Sequence, residues 1–400
     1  MHQYNIKNIG LLILLLISTI NTGAQLRLNG TIWDAKELYD VPRYTATAID
    51  SAKEIVFESA MYKGQKKKVF AYYATPGILH GNPAEDKNLP AVVLVHGGGG
   101  KAFREWAVKW AEKGYAAIAM DLRGNGADRK QLPGGFEEIN GVTPVYDMSP
   151  PLTEQYLYQA VADVILSHNL LLSFPEVDKN RTALTGISWG GVISCIAAGL
   201  DNRYKAVVPV YGCGFLEWSG FIGVGIRQLP QEGKQRWINQ YDPLNYIAGA
   251  NMPMLFINGT NDRAFYLSSY IKTYQLVRKG NISVKVRMEH SHKDGWNNDE
   301  IYAFVDSYLK GARPFPFISH VSKGKKAVNA RIGNNYNIDK GYLHYTTDTT
   351  VVEDKRQWLS MPARINGNRI QAPLPPANAV LWYIQVENKE GVLASSCPRQ

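Results

Sequence analysis

A chain that runs from an apolar strand through Gly-x-Ser-x-Gly directly into an apolar helix has few folds open to it. Residues 181–187, ending Leu184-Thr185-Gly186-Ile187, read as a buried strand, and residues 190–199, opening Gly190-Gly191-Val192-Ile193, read as a helix. Ser188 falls on the corner between them, the arrangement of a nucleophile elbow. Glycine is required at 186 and 190 because a Cβ at either place would meet neighbouring backbone in so tight a turn. The helix that starts after the serine also points unsatisfied N–H groups at any negative charge forming there.

A serine hydroxyl is a weak nucleophile until a base takes its proton, and that base needs an acid to orient it. Asp262 lies 262 − 188 = 74 residues on, at the end of the strand expected at 254–257, where the loops of an α/β sheet collect their chemistry. Glu289-His290-Ser291-His292 comes later, after a strand expected at 283–288 and before a helix at 299–310. His292 is the expected base, since a strand reaching 288 leaves His290 almost on its end. His290 is the alternative and would otherwise brace the loop. The order Ser, Asp, His is that of α/β hydrolases. The backbone N–H groups of Trp189 and of Gly98 or Gly99 are the expected oxyanion donors. His96 is read as an anchor of the glycine loop, and no metal or other cofactor is expected.

Around this constellation the chain alternates strand and helix. Two antiparallel strands fall at 54–62 and 68–74, the first buried parallel strand at 91–95 runs into His96-Gly97-Gly98-Gly99-Gly100, and a helix (102–112) and a strand (115–121) complete a βαβ unit. The Gly- and Pro-rich stretch 121–152 is placed over the mouth of the site. Helix 153–172 and strand 206–211 continue the alternation, then Cys213–Tyr241 interrupts it with Phe215, Trp218, Phe221 and Trp237, a small core or an aromatic platform. Helix 265–279 resumes it. The fold class is therefore α/β, with a mostly parallel sheet covered by helices on both faces. From 313 to 400 short strands at 343–345, 358–359, 370–372 and 380–386 suggest a small β-sandwich. No group from this tail is assigned to the chemistry, so hydrolysis of small esters is expected to survive its removal.

At the N-terminus, Lys7, the apolar run Ile9–Ile17 and Thr22-Gly23-Ala24 have the order of a secretory signal, with cleavage expected after Ala24. The expected division is a signal at 1–24, an N-terminal strap at 25–53, a catalytic domain at 54–312 and the sandwich at 313–400. Three cysteines are too few for a disulfide scaffold. Of the net charge of +9, residues 313–400 hold 12 Lys and Arg against 6 Asp and Glu, or 12 − 6 = +6. This basic tail is either a solvated face or a surface suited to acidic glycans or anionic surfaces. No nucleic-acid motif accompanies it, and no stable membrane anchor is expected.

The motifs Val95-His96-Gly97-Gly98-Gly99, Asp121-Leu122-Arg123-Gly124, Gly186–Gly191, Val210-Tyr211-Gly212-Cys213-Gly214 and Gly259-Thr260-Asn261-Asp262 resemble secreted acetylxylan-esterase-like α/β hydrolases, relatives of the prolyl oligopeptidase hydrolase domain. The resemblance spans about residues 54–312. It implies an α/β-hydrolase fold with Ser188 as nucleophile, Asp262 as acid and a histidine from the His290–His292 loop. It further implies a secreted or periplasmic esterase acting on an acylated carbohydrate. Where relatives commonly have a proline after the acid, this chain has Arg263-Ala264-Phe265. Two other readings are a prolyl-oligopeptidase-like peptidase and an inactive glycan-binding relative.

Overall fold

The computed structural model describes residues 28–400 except 34, 142, 335, 336 and 351. The secretory-signal expectation at 1–24 lies outside them. Nine strands form one sheet: β1 (Tyr44–Ile49), β2 (Ala52–Tyr62), β3 (Gln65–Ala74), β4 (Leu89–Val95), β5 (Ala116–Met120), β6 (Val177–Ile187), β7 (Ala206–Val210), β8 (Met254–Gly259) and β9 (Gly280–Lys285), in the order β1-β2-β3-β5-β4-β6-β7-β8-β9. From β5 to β9 all neighbours are parallel, while β1, β2 and β3 form an antiparallel flank.

Of the central strands, β5 and β7 are apolar at every position because both faces are covered. β5, β7 and β8 are buried throughout. Helices Arg104–Glu112 and Asp299–Leu309 form one layer, with the ring of Trp110 packed on Tyr302 at 4.7 Å. Helices Tyr156–Ser173 and Trp189–Leu200 form another, both buried along nearly their whole length. β1 was not expected within the strap. Its Tyr-Thr-Ala-Thr-Ala-Ile run lies exposed at the sheet edge, so it carries no inward-facing apolar period to announce it.

One shift in the strand assignments matters for the site. The last parallel strand ends at Lys285, three residues before the expected end. Val286-Arg287 turns the chain, with Arg287 at φ 54 and its N–H bonded to Thr260 Oγ1 at 3.0 Å. Apolar Val286 and Met288 continue the strand period in sequence, yet the left-handed residue between them ends pairing.

The tail forms two antiparallel four-stranded sheets. One contains β10 (Phe317–Lys323), β11 (Val328–Gly333), β15 (Arg369–Ala372) and β14 (Arg364–Asn366) in that order. The other contains β13 (Leu359–Pro362), β12 (Ile338–Thr346), β16 (Leu381–Asn388) and β17 (Leu393–Ser395). Val328, Ile332, Leu343, Ile370, Ile384 and Val386 are buried between or beneath them. This small β domain also covers the open edge of the large sheet. The Val284 N–H of β9 donates to Ser395 Oγ at 3.0 Å, and the Val284 carbonyl accepts from Gln385 Nε2 at 2.6 Å. An edge that could template pairing with another chain is thereby closed.

Candidate active site

Ser188 follows β6 and begins the helix Trp189–Leu200. Its backbone sits at φ 59, ψ −120, a conformation that costs free energy and holds its side chain out of the turn. The flanking glycines are needed for the stated reason. A Cβ on Gly186 would lie 2.2 Å from the Gly190 carbonyl oxygen, and one on Gly190 would lie 2.1 Å from that of Val95.

Asp262 is buried in the loop after β8. Its Oδ1 accepts the N–H groups of Ala264 and Phe265 at 2.7 and 2.9 Å, which leaves Oδ2 directed at His290 Nδ1 at 2.7 Å. His290 Nε2 lies 3.0 Å from Ser188 Oγ. A carboxylate can only accept, so Nδ1 carries the proton and Nε2 presents its lone pair to the serine hydroxyl. The imidazole is held between Tyr211 and Phe265, with ring centroids at 4.3 and 6.0 Å, and the Tyr211 hydroxyl donates to the Glu289 carbonyl. Tyr211 thus fixes both the ring and its backbone.

The expected choice of His292 is corrected by this geometry. Because β9 stops at Lys285, His290 stands in the free loop and His292 is already the first residue of the short helix His292–Trp296. His292 Nε2 accepts the Gly97 N–H at 3.0 Å, and its ring packs on Phe103 at 5.0 Å. Burial, with His96 and His290 nearby, lowers its pKa to about 4, so it stays neutral as that accepted bond requires. A Cβ on Gly97 would come within 2.9 Å of the Ser188 Cβ, which is why the glycine loop can lie directly against the nucleophile.

His96 is buried, accepts the Leu122 N–H at Nε2 (2.9 Å) and contacts the Gly97 carbonyl through Nδ1 (2.7 Å). Its pKa is pushed down to about 4 by burial. The two neutral histidines therefore secure the glycine loop from both sides. The Gly97 N–H is spent on His292 and that of Gly100 on the Gly97 carbonyl. The N–H groups of Gly98 and Gly99 have no hydrogen-bond partner among the described residues. As the first helical residue, Trp189 likewise has no acceptor for its N–H within the helix.

Two further walls surround the serine. Tyr146, from the long stretch after β5, meets the Trp189 ring edge-on at 5.9 Å and donates its hydroxyl to the Ile222 carbonyl. Trp237 is buried in the insertion and donates to the Val145 carbonyl, whereas Trp218 and Phe221 stay 64% and 53% exposed. The insertion is therefore a small core on one side and an open aromatic surface on the other. Phe221 bonds through its N–H to the Arg263 carbonyl, next to Asp262.

The tail reaches the acid loop, although it supplies none of the groups of the Ser188–His290–Asp262 series. Asn261 Nδ2 donates to the carbonyls of Asp354 and Arg356 at 2.9 and 2.8 Å, and the Ser268 N–H donates to Glu353. A cleft of about 760 Å³ beside His290 is lined on one side by Arg263, Arg287 and Glu289 and on the other by Asp354–Gln357. The signal in sequence is weak, because 353–357 is a short segment opening with the 3₁₀ turn Glu353–Lys355, and its tie to Asn261 comes from backbone carbonyls. Cys195, Cys213 and Cys397 are all free thiols. Burial pushes the Cys195 and Cys213 thiols well above their ordinary range, so neither is a nucleophile.

Residues 38–219 match the family model for acetyl xylan esterase (AXE1), and residues 152–312 match that of the prolyl oligopeptidase family, Peptidase_S9. The two matches overlap across the elbow. Among solved structures, an acetyl xylan esterase from Paenibacillus sp. R4 superposes with TM-score 0.53 at 22% identity, covering 67% of this chain and 89% of that one. Acetyl xylan esterase 1 from Thermoanaerobacterium sp. JW/SL YS485 gives 0.54 at 17% identity, covering 68% and 92%. An uncharacterized peptidase of Bacillus subtilis is 27% identical over 195 residues, 44% of this chain and 26% of its own length. The acylamino-acid-releasing enzyme of Rattus norvegicus is 24% identical over 247 residues, 57% of this chain and 31% of its own. The chain thus spans about a quarter to a third of the curated relatives it matches. It has the α/β-hydrolase fold and resembles acetylxylan-esterase-like hydrolases related to the prolyl oligopeptidase hydrolase domain.

Proposed function

We propose that the chain is a serine carboxylesterase that removes short acyl groups, acetyl above all, from a polysaccharide or oligosaccharide outside the cytoplasm. The observation that carries the chemistry is the unbroken series Asp262–His290–Ser188 at 2.7 and 3.0 Å. In this reading His290 Nε2 takes the Ser188 proton as Oγ attacks the ester carbonyl. The oxyanion that forms is received by the N–H groups of Trp189 and of Gly98 or Gly99, each donor being worth about 3 kcal/mol of barrier. Collapse breaks the bond from the acyl carbon to the sugar oxygen, leaving the acyl group on Ser188, while His290 gives its proton to that oxygen, which departs as a hydroxyl. Water, activated by the same imidazole, then releases the acid and restores the serine.

The acetyl xylan esterase match supports the ester and carbohydrate parts of this proposal. Exposed Trp218 and Phe221 beside the Asp262 loop offer faces on which sugar rings stack. The sequence pattern at 1–24 supports export. The Peptidase_S9 match favours a second reading, cleavage of acylated or proline-containing peptides. Acetate release from acetylated xylan and p-nitrophenyl acetate, compared with hydrolysis of acyl-amino-acid and dipeptide amides, separates the two. Efficient amide cleavage without deacetylation would overturn the esterase reading, and S188A should abolish whichever activity is present.

A further inference from the structure

The outer face of the β10-β11-β15-β14 sheet carries a charge arrangement that folding alone does not favour. Strand alternation buries Val328, Ala330, Ile332, Ile370 and Ala372, and turns Asn329, Arg331, Arg369 and Gln371 outward. β14 adds exposed Arg364 and Asn366 to the same face. In the register, Arg331 stands directly opposite Arg369, and Arg364 lies diagonal to it through the pairs Arg364↔Gln371 and Asn366↔Arg369. Like charges directly opposite on neighbouring strands are destabilising.

Nothing on the face relieves that repulsion. The residues lining its groove of about 530 Å³ include Arg331, Arg364, Arg369, Asn329 and Gln371 and no Asp or Glu. Among the described residues none of the three arginines forms an ion pair. Elsewhere on the tail a lysine does find a carboxylate across the strands, as Lys340 does with Glu387 at 2.9 Å. The unrelieved cluster is therefore local, not a general feature of the basic tail. At the edge, a bulge between Ser319 and Ser322 places His320 at φ 50, and both His320 and Ser322 border the same groove.

We propose that this face binds a carboxylate-bearing polysaccharide, a polymer containing uronic acid sugars. Planar guanidinium groups match carboxylates in bidentate pairs, and the amides of Asn329, Asn366 and Gln371 are suited to hydroxyls. Neighbouring strands lie about 4.8 Å apart, close to the rise per sugar of an extended hexopyranose chain. A polymer crossing the strands meets a new charged or amide pair at each one. A neutral glycan would leave the arginines uncompensated, and the aromatic ring at the end of this face, Phe317, lies over Gly333 outside the residues that line the groove. The site is separate from Ser188 and would hold substrate polymer or its neighbours on the molecule that carries the esterase site, so its relation to substrate rests on the proposed function while binding itself does not.

The test uses the full chain carrying S188A, so that turnover cannot alter the ligand, in affinity electrophoresis through gels containing polygalacturonate. The expected result is retardation by polygalacturonate and none by its fully methyl-esterified form or by neutral arabinoxylan. R331Q/R364Q/R369Q should reduce affinity at least tenfold, because three charge-assisted contacts are removed. In the wild-type background the same triple variant should leave p-nitrophenyl acetate hydrolysis unchanged, and its melting temperature should hold or rise as the repulsion is lifted. The proposal falls if S188A is not retarded, if the triple variant binds as well as its parent, or if the melting temperature drops and marks the arginines as structural. It also falls if double-stranded DNA or phosphatidylserine vesicles bind equally well, for that is the behaviour of a general cationic surface. Loss of esterase activity in every assay would overturn the proposed function and leave the binding result standing.

Discussion

The large sheet and the C-terminal sandwich solve burial in opposite ways. β4, β5, β7 and β8 are covered on both faces, so no side chain along their length is free to meet a substrate. Chemistry is confined to the loops that leave the strand ends, and Ser188, Asp262 and His290 follow β6, β8 and β9. In the sandwich, β11 and β15 bury alternate residues and leave the others outside, with Ile370 and Ala372 buried and Arg369 and Gln371 exposed. A doubly covered sheet fixes a few atoms rigidly, whereas a half-covered one offers a wide surface. The two regions meet at the acid loop, where Asn261 is tied to the carbonyls of Asp354 and Arg356.

The largest effect tests whether chemistry belongs to the strand-end loops in the way the geometry describes. His290→Ala should lower kcat by about a thousandfold or more, because the serine loses its base. His292→Ala should cost only about tenfold to a hundredfold by freeing the Gly97 N–H and loosening the oxyanion loop. Steady-state kinetics on p-nitrophenyl acetate, with circular dichroism to verify folding, reads both. Equal losses would mean that the two imidazoles do not have separate roles.

The sequence exposed most of the first region and less of the second. The elbow was legible because Gly186, Ser188 and Gly190 report one backbone geometry, and β4, β7 and β8 because strands buried on both faces read as continuous apolar runs. His292 is favoured over His290 in sequence because the preceding strand reads three residues too long. Val286 and Met288 keep the strand period, and only the positive φ of Arg287 reveals that pairing has stopped. The docking of 353–357 was invisible for a different reason. Its backbone carbonyls, which any residue could supply, make the contact to Asn261. The arginine face was visible as net charge, but the opposition of Arg331 and Arg369 requires the strand register.

Cutting the tie between the regions should have an intermediate effect. Asn261→Ala removes two hydrogen bonds beside Asp262 and is expected to lower kcat by roughly tenfold with little change in KM, since the acid loop is misplaced and not the substrate surface. Deleting 316–400 should cost more, because it also uncovers the Val284 backbone of β9. An Asn261→Ala enzyme with wild-type kcat would show that the sandwich is merely docked.

Acid should distinguish the regions by stability. His96 and His292, both in the large domain, have folded pKa values near 4, lowered chiefly by burial. Unfolded, each binds a proton below about 6.5. Their contribution is therefore complete above that pH and is lost as pH falls from about 6.5 toward 4. Buried His168 acts in the same direction. Asp121, raised to about 6 by burial, opposes them over its own window, since its unfolded form releases a proton that the folded form keeps. Asp163 and Asp242, likewise raised by burial, oppose them too, so the loss is clearest in the upper part of the window, where the urea midpoint followed by tryptophan fluorescence should fall as pH drops from about 6.5 toward about 6. A flat profile would mean that these imidazoles take up protons without disturbing the glycine loop.

The smallest expected effect tests whether recognition belongs to the sandwich alone. Trp218 belongs to the insertion of the large domain, yet 64% of its surface is open beside the acid loop, where Phe221 is bonded to Arg263. If sugar rings stack there, Trp218→Ala should raise KM for acetylated xylan by about threefold to tenfold, a loss of roughly 1 kcal/mol of aromatic contact. The value for p-nitrophenyl acetate should not move, because that substrate carries no sugar ring to stack on the insertion. A selective rise for the polymer would divide recognition between both regions, with the insertion acting on neutral sugars near the scissile ester and the arginine face on charged ones farther away. No change for either substrate would return the exposed tryptophan to the role of a surface residue and leave the sandwich as the sole recognition surface.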